Sequence, residues 1–326
     1  MTEMTMIDAI RTALARALQD DPDVILFGED VGIDGGVFRA TDGLIQRYGA
    51  SRVRDTPLSE TVIAGMAVGA AAHGLKPVAE IQFMGFLYSA IDQLANHAAR
   101  LRNRTRGRLT CPLVLRAPYG GGIRAPEHHS ESMEVMLAHI PGLRVVIPST
   151  PGRAYGLLLA SIRDPDPVVF LEPKRLYRSV SEMVVDDGTA LPLDEAVRVR
   201  DGRDVTLVSW GAMMTETQAA AEALAGQGTE AEVIDLSSLK PVDRGTIRAS
   251  VNRTGRCVIV HEAPLTAGLG AEIAADLAEH CLTSLLAPVR RIAGYDTVMP
   301  YPRLEGHYMP STARIVRAVN DVMEFA

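Results

Sequence analysis

Cysteine is scarce in this sequence of 326 residues. The three that occur, Cys111, Cys257 and Cys281, are too few and too widely scattered to form a disulfide framework or a Cys-x-x-Cys metal site. Proteins that rely on disulfides for their stability are therefore excluded. We expect a protein of the reducing cytoplasm.

An excess of basic residues is also missing. Lys and Arg number 33 against 40 Asp and Glu, which gives a formal net charge of -7. The arginine-rich stretch at 100–108 is offset by acids elsewhere, so we expect no continuous basic surface for a phosphate backbone. The charge balance argues against a nucleic-acid partner.

Long apolar runs are absent as well. Residues 1–10 include acidic side chains, and the alanine-rich stretch that begins at Ala64 is interrupted by Gly65, Gly69 and His73. A membrane-spanning helix needs about 20 consecutive apolar residues, and a signal peptide needs a shorter apolar core after a basic start. We expect neither a signal peptide nor a membrane span.

What the sequence does have is enough apolar residues, 47% of the total, to bury two cores. Short Val-, Ile- and Leu-rich runs bounded by Gly, Pro or Asp predict strands, and they alternate with segments of helical spacing. The predicted strands lie at 24–27, 78–83, 113–116, 143–147, 168–171, 205–210, 231–236, 257–261 and 289–292. The predicted helices include one capped by Thr5, one long segment at 88–104, and others at 215–225, 243–252, 271–281 and 312–323. This alternation predicts an α/β fold of two doubly wound domains with mostly parallel sheets.

The alternation weakens after Lys174, where charged and polar residues are interspersed with Gly188, Pro192 and Gly202. We read this stretch as a domain boundary. The predicted domains are 1–185 and 205–326, joined by a linker at 186–204.

In open α/β sheets, ligands bind beyond the carboxyl ends of the strands. One such place is the sequence Asp-Thr-Pro-Leu-Ser-Glu at 55–60. Ser59 can cap a helix and Glu60 suits its positive end, so an ordinary helix start explains both residues. A functional carboxylate at Glu60 is the alternative, and the spacing alone leaves both open.

A second place is 80–86, where a strand ends in a carboxylate, the amide of Gln82, and the rings of Phe83 and Phe86. These rings fit an ordinary core equally well. A third place is the triple glycine at 120–122, followed by His128 and His129. Consecutive glycines allow the backbone to bend sharply or to approach a ligand, which is typical of an active-site loop.

Metal binding by this histidine pair is not expected, because adjacent side chains diverge and no further Cys or His lies at ligand spacing. Proton transfer suits His129, and a surface histidine is an equal alternative. A fourth segment, from His261 to Gly268 and Gly270, looks like a phosphate loop but lacks both the Walker Lys-Ser/Thr and the full Gly-x-Gly-x-x-Gly spacing.

Taken in order, these segments resemble the beta subunits of 2-oxo-acid dehydrogenases, within the transketolase-like family of thiamine-diphosphate enzymes. Single segments are common, but their order and spacing along nearly the whole chain are specific. The matching segments are Gly-Glu-Asp-Val-Gly at 28–32, Gly-Gly-Val-Phe at 35–38, Asp-Thr-Pro-Leu-Ser-Glu at 55–60, Glu-Ile-Gln-Phe at 80–83, Pro-Gly-Leu at 141–143, Val-Val-Ile-Pro at 145–148, Leu-Glu-Pro-Lys at 171–174 and Gly-Tyr-Asp-Thr at 294–297.

The resemblance implies a pyrimidine-binding domain over roughly the first 180 residues, followed by a smaller domain used mainly in assembly. The sequence lacks a Gly-Asp-Gly followed by Asn at the spacing of magnesium ligands. This agrees with a separate alpha subunit that supplies the diphosphate-binding half and its Mg²⁺. The resemblance therefore implies an alpha2-beta2 heterotetramer with the cofactor at the alpha–beta interface, and no activity for this chain alone.

For single residues, the resemblance implies that Glu60 activates the cofactor through a hydrogen bond to its pyrimidine ring, helped by a pKa raised in a buried apolar setting. Gln82 and Phe86 match positions that line the pyrimidine, and Leu58 belongs to the same cofactor-binding set. Glu29 is placed with them and matches an acid of the polar tunnel that links paired active sites. Many relatives with branched substrates have Tyr where Phe86 stands, so a ring contact is expected there but no hydrogen bond.

His129 matches a histidine that handles protons while the acyl group passes to a lipoyl group on an acyltransferase. The resemblance also includes a structural potassium site, which is matched loosely. The residues at its positions are Cys111, Leu113, Val114, Ser161, Asp164 and Asp166.

The implied activity is oxidative decarboxylation of a 2-oxo acid with acyl transfer to lipoyl protein. The segments at 102–107, 127–130 and 172–177 resemble bacterial branched-chain enzymes, whereas Gly85-Phe86 resembles the pyruvate type. We expect a branched-chain substrate first and pyruvate second. The alternatives are the pyrimidine half of another transketolase-like carbon-transfer enzyme, which a His and Arg cluster for a sugar phosphate would favour, and a non-catalytic scaffold, which loss of Glu60 would favour.

Overall fold

The structure, a computed structural model, describes residues 1–325 and divides into two compact units. Unit 1 comprises Met1–Tyr119 and Met136–Leu193, and unit 2 comprises Gly120–Val135 and the chain from Asp194 onward. The predicted first domain, 1–185, is continuous, whereas unit 1 is interrupted. The segment Gly120–Val135, which carries the triple glycine and His129, groups with unit 2.

Unit 1 contains a parallel sheet with the strand order β6-β7-β5-β4-β2-β3, and β1 pairs with β8 in a separate antiparallel ribbon. Its strands are β1 (Thr2–Thr5), β2 (Val24–Gly28), β3 (Val53–Asp55), β4 (Lys76–Glu80), β5 (Val114–Tyr119), β6 (Arg144–Val146), β7 (Val168–Pro173) and β8 (Ser181–Val184). Its helices are α1 (Met6–Asp20), α2 (Leu44–Tyr48), α3 (Glu60–Ala72), α4 (Leu101–Arg104), α5 (Glu134–His139), which begins in the loop of unit 2, and α6 (Pro151–Arg163).

The helix α1 shows how the sequence determines its own local structure. Thr5 and Asp8 form a reciprocal capping box, which satisfies main-chain N–H groups at the helix start. Behind the cap, Met6, Ile10 and Leu14 recur at helical spacing and are buried. Each such side chain contributes about 1.5–3 kcal/mol when it is fully buried, so the apolar stripe holds α1 against the core, next to α6.

The segment predicted to be helical at 88–104 is helical, but it is not one uniform α-helix. The chain there forms a 3-10 segment at Met84–Ala90, a π-helical turn at Gln93–His97, a second 3-10 turn at Ala98–Arg100, and then α4. The second 3-10 turn coincides with a close tertiary approach: Gly142 has φ +94°, and a Cβ on it would collide with the carbonyl oxygen of Ala99. Spacing along the sequence does not reveal such an approach.

Unit 2 contains a five-stranded sheet with the order β14-β13-β10-β11-β9, parallel except for β9. Its strands are β9 (Val197–Arg200), β10 (Val205–Ser209), β11 (Ala231–Asp235), β12 (Ser238–Lys240), β13 (Cys257–Pro264) and β14 (Arg290–Gly294). Its helices are α7 (Met213–Ala225), α8 (Arg244–Thr254), α9 (Leu269–His280), α10 (Pro302–Tyr308) and α11 (Thr312–Met323).

The strand β9 lies inside the predicted linker at 186–204, so that stretch is not all linker. Its sequence, Val-Arg-Val-Arg, alternates with the period of a strand. The side chain of Arg200 pairs with Glu230 at 3.0 Å. Charged side chains are common on edge strands because they discourage pairing with another chain, and their high content here hid the strand.

The α/β fold with mostly parallel sheets is confirmed in both units. Within residues 1–325, no helix is both long and apolar enough to span a membrane.

Candidate functional site

The carboxyl ends of three neighbouring strands bring the predicted cofactor-binding residues to one edge of unit 1. Gly28, at the end of β2, is aligned with Asp55 at the end of β3 and with Glu80 at the end of β4. Glu29, Glu60 and Gln82 follow these three ends in the sequence. We call this group the edge site, and it lies where ligands bind in open α/β sheets.

Glu60 is the first residue of α3, and Ser59 is its N-cap. The Ser59 side chain makes no capping hydrogen bond, so the cap that the sequence offers is not used. Glu60 is half-buried, and Leu58 beside it is 82% exposed. Within this chain, Glu60 therefore lacks the deep apolar setting that the resemblance implied.

Glu29 is the buried partner of Glu60 in the edge site, with only 2% of its surface exposed. Burial raises the pKa of Glu29, and the negative charges of Glu60 and Asp30 raise it further, while a hydrogen bond with the main chain of Ser59 opposes them. The Oε1 atom of Glu29 has no hydrogen-bond partner within the chain. The edge site thus contains a buried carboxyl group with a raised pKa, Glu29, and a half-buried carboxyl group, Glu60.

Asp55 fixes the loop that follows Glu29, a role that the sequence did not reveal. Its carboxylate accepts hydrogen bonds from the main-chain N–H groups of Gly32 at 2.6 Å and Ile33 at 3.1 Å. A Cβ at Gly32 would lie 2.9 Å from the carboxylate oxygens, so only glycine allows this approach. Two segments that carry the resemblance, 28–32 and 55–60, are therefore in direct contact.

Gln82 and Phe86 form another part of the same edge. Gln82 donates from Nε2 to Oδ2 of Asp30 at 2.9 Å. The half-buried ring of Phe86 meets Phe83 edge-on, with centroids 5.7 Å apart, and Phe83 meets Phe38 in the same way at 5.5 Å. Edge-to-face contacts of this kind fix ring orientation. They give Phe86 a defined position beside Gln82.

A buried ion network lies next to these strand ends, and the sequence did not predict it. Arg116 on β5 is 1% exposed and donates to Glu172 through Nε at 2.7 Å and Nη2 at 3.1 Å, and to Glu80 through Nη1 at 2.7 Å. Tyr177 adds a hydrogen bond to Glu172 at 2.6 Å. The only signal in the sequence is an arginine inside an otherwise apolar strand.

His129 belongs to unit 2, where it is half-buried at the end of a 3-10 turn, Glu127–His129. Its main-chain N–H donates to the carbonyl of Pro126 at 2.9 Å. His128 is exposed. The structure thus holds the two predicted catalytic residues, Glu60 and His129, in different units.

The resemblance implies that potassium is bound through main-chain oxygens, so the side-chain contacts at the matched positions do not test this site. Asp164 pairs with Arg144 at 3.0 Å, and Asp166 pairs with Arg102 at 2.7 Å, so both carboxylates already have cationic partners. Burial raises the pKa of the Cys111 thiol to about 12, which disfavours the thiolate. Across the described residues, 1–325, no group of three or more His, Cys, Asp or Glu is placed to hold a metal ion. The potassium site remains a prediction.

Comparison with known proteins agrees with this arrangement. Residues 2–180 match the family described as transketolase, pyrimidine binding domain, and residues 194–315 match transketolase, C-terminal domain. The chain is 46% identical over 325 residues to the pyruvate dehydrogenase E1 component subunit beta of Staphylococcus epidermidis, and 45% identical to that of Staphylococcus aureus, with 100% of each chain covered. The chain belongs to the transketolase-like family, among the beta subunits of 2-oxo-acid dehydrogenases.

Solved structures agree with this membership at the level of fold. A split-gene transketolase, described as an inactive beta4 tetramer, superposes with a TM-score of 0.82 at 22% identity and covers 99% of each chain. A transketolase from Pichia stipitis superposes with a TM-score of 0.73 at 13% identity, with 100% of this chain matching 46% of that one. At these identities the likeness concerns the fold of this beta subunit and not its substrate.

Proposed function

We propose that this beta subunit serves the decarboxylating component of a 2-oxo-acid dehydrogenase complex, with pyruvate as the first substrate to test. The observation that carries the proposal is the alignment of the strand ends that Glu29, Glu60 and Gln82 follow, inside the segment that matches a pyrimidine-binding domain. The full-length similarity to two proteins named as pyruvate dehydrogenase beta subunits supports it.

The residues of the edge site fit thiamine diphosphate as the cofactor. Among the residues that the structure describes, a buried oxygen of Glu29 and the buried hydroxyl oxygen of Thr56 have no hydrogen-bond partner. Buried polar atoms of this kind are costly unless a ligand or water satisfies them. Glu60 offers a carboxyl group to a pyrimidine ring nitrogen, Gln82 an amide, and Phe86 a ring face. When bound, the cofactor supplies the carbon nucleophile that decarboxylation of a 2-oxo acid requires.

An alpha subunit would complete this site in an alpha2-beta2 heterotetramer. The sequence has no Gly-Asp-Gly motif for magnesium diphosphate, so we assign Mg²⁺ to the alpha chain. Leu58, 82% exposed beside the half-buried Glu60, and Val62 and Met66 on α3, 51% and 43% exposed, give the start of α3 an apolar surface. Exposed apolar patches commonly mark interaction surfaces. Closure by a second chain would also give Glu60 the apolar surroundings that this chain alone does not provide.

The second half of the proposed reaction is acyl transfer to a lipoyl group on an acyltransferase. We assign His129 to proton transfer in this step because it lies in a glycine-rich loop, a common location for groups that meet an incoming partner. The residue as a whole is half-buried. The buried free thiols of Cys111, Cys257 and Cys281 accord with a cytoplasmic location.

The sequence-based preference for branched-chain substrates receives no support from the comparisons, whose named relatives are pyruvate enzymes. Phe86, at a position where many branched-chain relatives have Tyr, agrees with pyruvate. The resemblance of 102–107 and 172–177 to branched-chain enzymes keeps these acids as the second candidates.

The experiment is reconstitution with the alpha chain encoded nearest to this one. Carbon dioxide release should be measured with an artificial electron acceptor for pyruvate and for branched 2-oxo acids, with this chain alone as the control. We expect activity only in the reconstituted complex, with a higher kcat/KM for pyruvate. Carbon transfer between sugar phosphates without 2-oxo-acid decarboxylation would replace this proposal with the transketolase alternative. Assembly without either activity would favour a scaffold.

A further inference from the structure

We propose that Glu262 and Glu305 are positioning residues that hold the glycine-rich loop Gly120–Val135 in shape and thereby set the position of His129. This inference rests on the proposed role of His129 in acyl transfer. Each carboxylate acts through main-chain N–H groups of the loop, and all the residues involved belong to unit 2.

Glu262 joins the two ends of the loop. It lies on β13 and is 3% exposed. Its Oε1 accepts a hydrogen bond from the main-chain N–H of Gly121 at 2.6 Å and another from the hydroxyl of Ser132 at 2.6 Å. The N–H of Gly120 donates to the carbonyl of Glu131 at 2.9 Å and closes the loop at the same place. One oxygen atom of Glu262 thus fixes residues on both sides of His129.

Glu305 holds the middle of the glycine-rich stretch. It lies on α10 and is 6% exposed. Its Oε1 accepts from the N–H of Gly122 at 2.6 Å, and its Oε2 accepts from the N–H of Arg124 at 3.1 Å. Gly122 and Arg124 both have positive φ, +85° and +59°, so their N–H groups depend on an unusual backbone path. The two oxygens of one carboxylate stabilise that path.

The close approach of Glu262 explains the glycine at position 120, and Met299 lies against Gly121. Gly120 has φ +85°, and a Cβ on it would lie 2.7 Å from Oε1 of Glu262. A Cβ on Gly121 would lie 3.4 Å from Oε1 of Glu305 and 2.6 Å from Cε of Met299. A larger residue at position 120 would push the loop away from Glu262, whereas one at position 121 would displace Met299. The close approach expected of a triple glycine is therefore made to side chains of the same unit.

Around His129, the loop also contains local turn bonds. The N–H of His129 donates to the carbonyl of Pro126, and the N–H of Ser130 donates to that of Glu127, each at 2.9 Å. The Ser130 hydroxyl donates to the carbonyl of Ala125 at 3.3 Å. Turn bonds of this kind shape a segment but do not attach it to the core. Hydrogen bonds to charged groups are about twice as strong as neutral ones. Loss of a carboxylate should therefore increase the motion of the whole segment.

The two anchors differ in a way that a conservative substitution can reveal. Glu305 uses both oxygens, and Gln at this position keeps only one acceptor and turns an NH₂ group toward a main-chain N–H. Glu262 uses only Oε1, so Gln there keeps the acceptor for both donors. We expect Glu305→Gln to disturb the loop more than Glu262→Gln does, although both remove one negative charge.

The experiment uses the complex reconstituted with the alpha chain. Amide hydrogen exchange of the loop peptide reports its anchoring, and two assays report function: decarboxylation with an artificial electron acceptor and acyl transfer to a free lipoyl domain. For Glu305→Gln we expect faster exchange in the loop and a roughly tenfold lower kcat/KM for transfer, the effect of one charge-assisted hydrogen bond. Decarboxylation should fall less. Glu279→Gln, an exposed glutamate on α9, is the matched control and should change neither.

Each outcome has a separate meaning. Wild-type exchange in both Glu305→Gln and Glu262→Gln complexes would overturn the anchoring role. If the two substitutions speed exchange equally, the conclusion that Glu305 needs both oxygens and Glu262 only one is overturned. Faster exchange with unchanged transfer would overturn the link to His129. If His129→Ala itself leaves transfer unchanged, the proposed role of His129 fails, and the exchange data still decide whether the anchors hold the loop.

Discussion

Arg116 donates from Nε to Oε1 of Glu172 over 2.7 Å, with both side chains closed off from solvent in unit 1. The same guanidinium reaches Glu80 at 2.7 Å. It therefore joins β4, β5 and β7 at the edge where Gln82 and Phe86 follow. A buried network of this kind is costly to break because each remaining charge is left without a partner.

Arg116→Met should destabilise unit 1 by about 3–5 kcal/mol, the usual effect of removing one partner of a buried ion pair. The measurement is the free energy of unfolding of the isolated chain in urea. Arg102→Met is the matched control, because its pair with Asp166 is largely exposed and should contribute less than about 1 kcal/mol. Equal losses in the two variants would contradict the role of the network.

Glu134→Gln should change how stability depends on pH. Burial raises the pKa of Glu134 from 4.5 to about 7, and the nearby charge of Glu262 contributes to the shift. Between these values the folded chain keeps a proton that the unfolded chain releases. The stability that Glu134 contributes is therefore complete below about pH 4.5 and is lost as the pH rises toward 7.

Gln stays neutral at every pH. The free energy of unfolding of the variant should therefore rise relative to that of the wild type as the pH rises, by up to about 3 kcal/mol at pH 8. Unfolding in urea at pH 5 and pH 8 measures the gain, with Glu279→Gln as the exposed control. A difference between variant and wild type that does not change with pH would show that Glu134 is ionised throughout. The hydrogen bond from Trp210 at 3.4 Å would then be its main support.

The isolated chain should bind thiamine diphosphate weakly, because the diphosphate and Mg²⁺ are assigned to the alpha chain. Adding the alpha chain should create a tight site that depends on magnesium. The melting temperature of the complex should then rise with the logarithm of the cofactor excess. Titration calorimetry with and without magnesium measures the affinity, and thermal unfolding of the complex measures the melting temperature. Micromolar or tighter binding by this chain alone would contradict the shared site.

His129→Ala should reduce acyl transfer to a lipoyl domain more than it reduces decarboxylation with an artificial electron acceptor. Removal of a proton-transfer group typically costs about 100- to 10,000-fold in the step that it serves. His128→Ala is the control, since its exposed ring lies next in the sequence. Equal losses in the two assays would assign His129 to decarboxylation instead.

Local patterns predicted the secondary structure where the information is local. The last helix, Thr312–Met323, and the first helix with its Thr5 cap follow from spacing and capping chemistry, and the structure confirms both. The changes of helix type within 88–104 have no counterpart in the spacing of the sequence, and β9 was concealed by its arginines.

The candidate site was predicted only in part, for the same reason. The sequence shows that Glu29, Glu60 and Gln82 follow strands, but the order β5-β4-β2-β3 is needed to show that they share an edge. The contact between Arg116 and Glu172 depends on β5 lying beside β7, which no local signal reveals. The roles of Glu60 and His129 came from the family resemblance, and these roles remain predictions.

The central claim is that Glu60 activates the cofactor, and exchange of the thiazolium proton into deuterated water tests it most directly. In heterotetramers carrying Glu60→Gln, a side chain of similar size remains but cannot exchange a proton with the pyrimidine nitrogen. We predict that exchange and turnover fall about 100- to 10,000-fold, while cofactor affinity falls much less. Exchange near the wild-type rate in an intact assembly would show that Glu60 is only the first residue of α3, and would contradict the account.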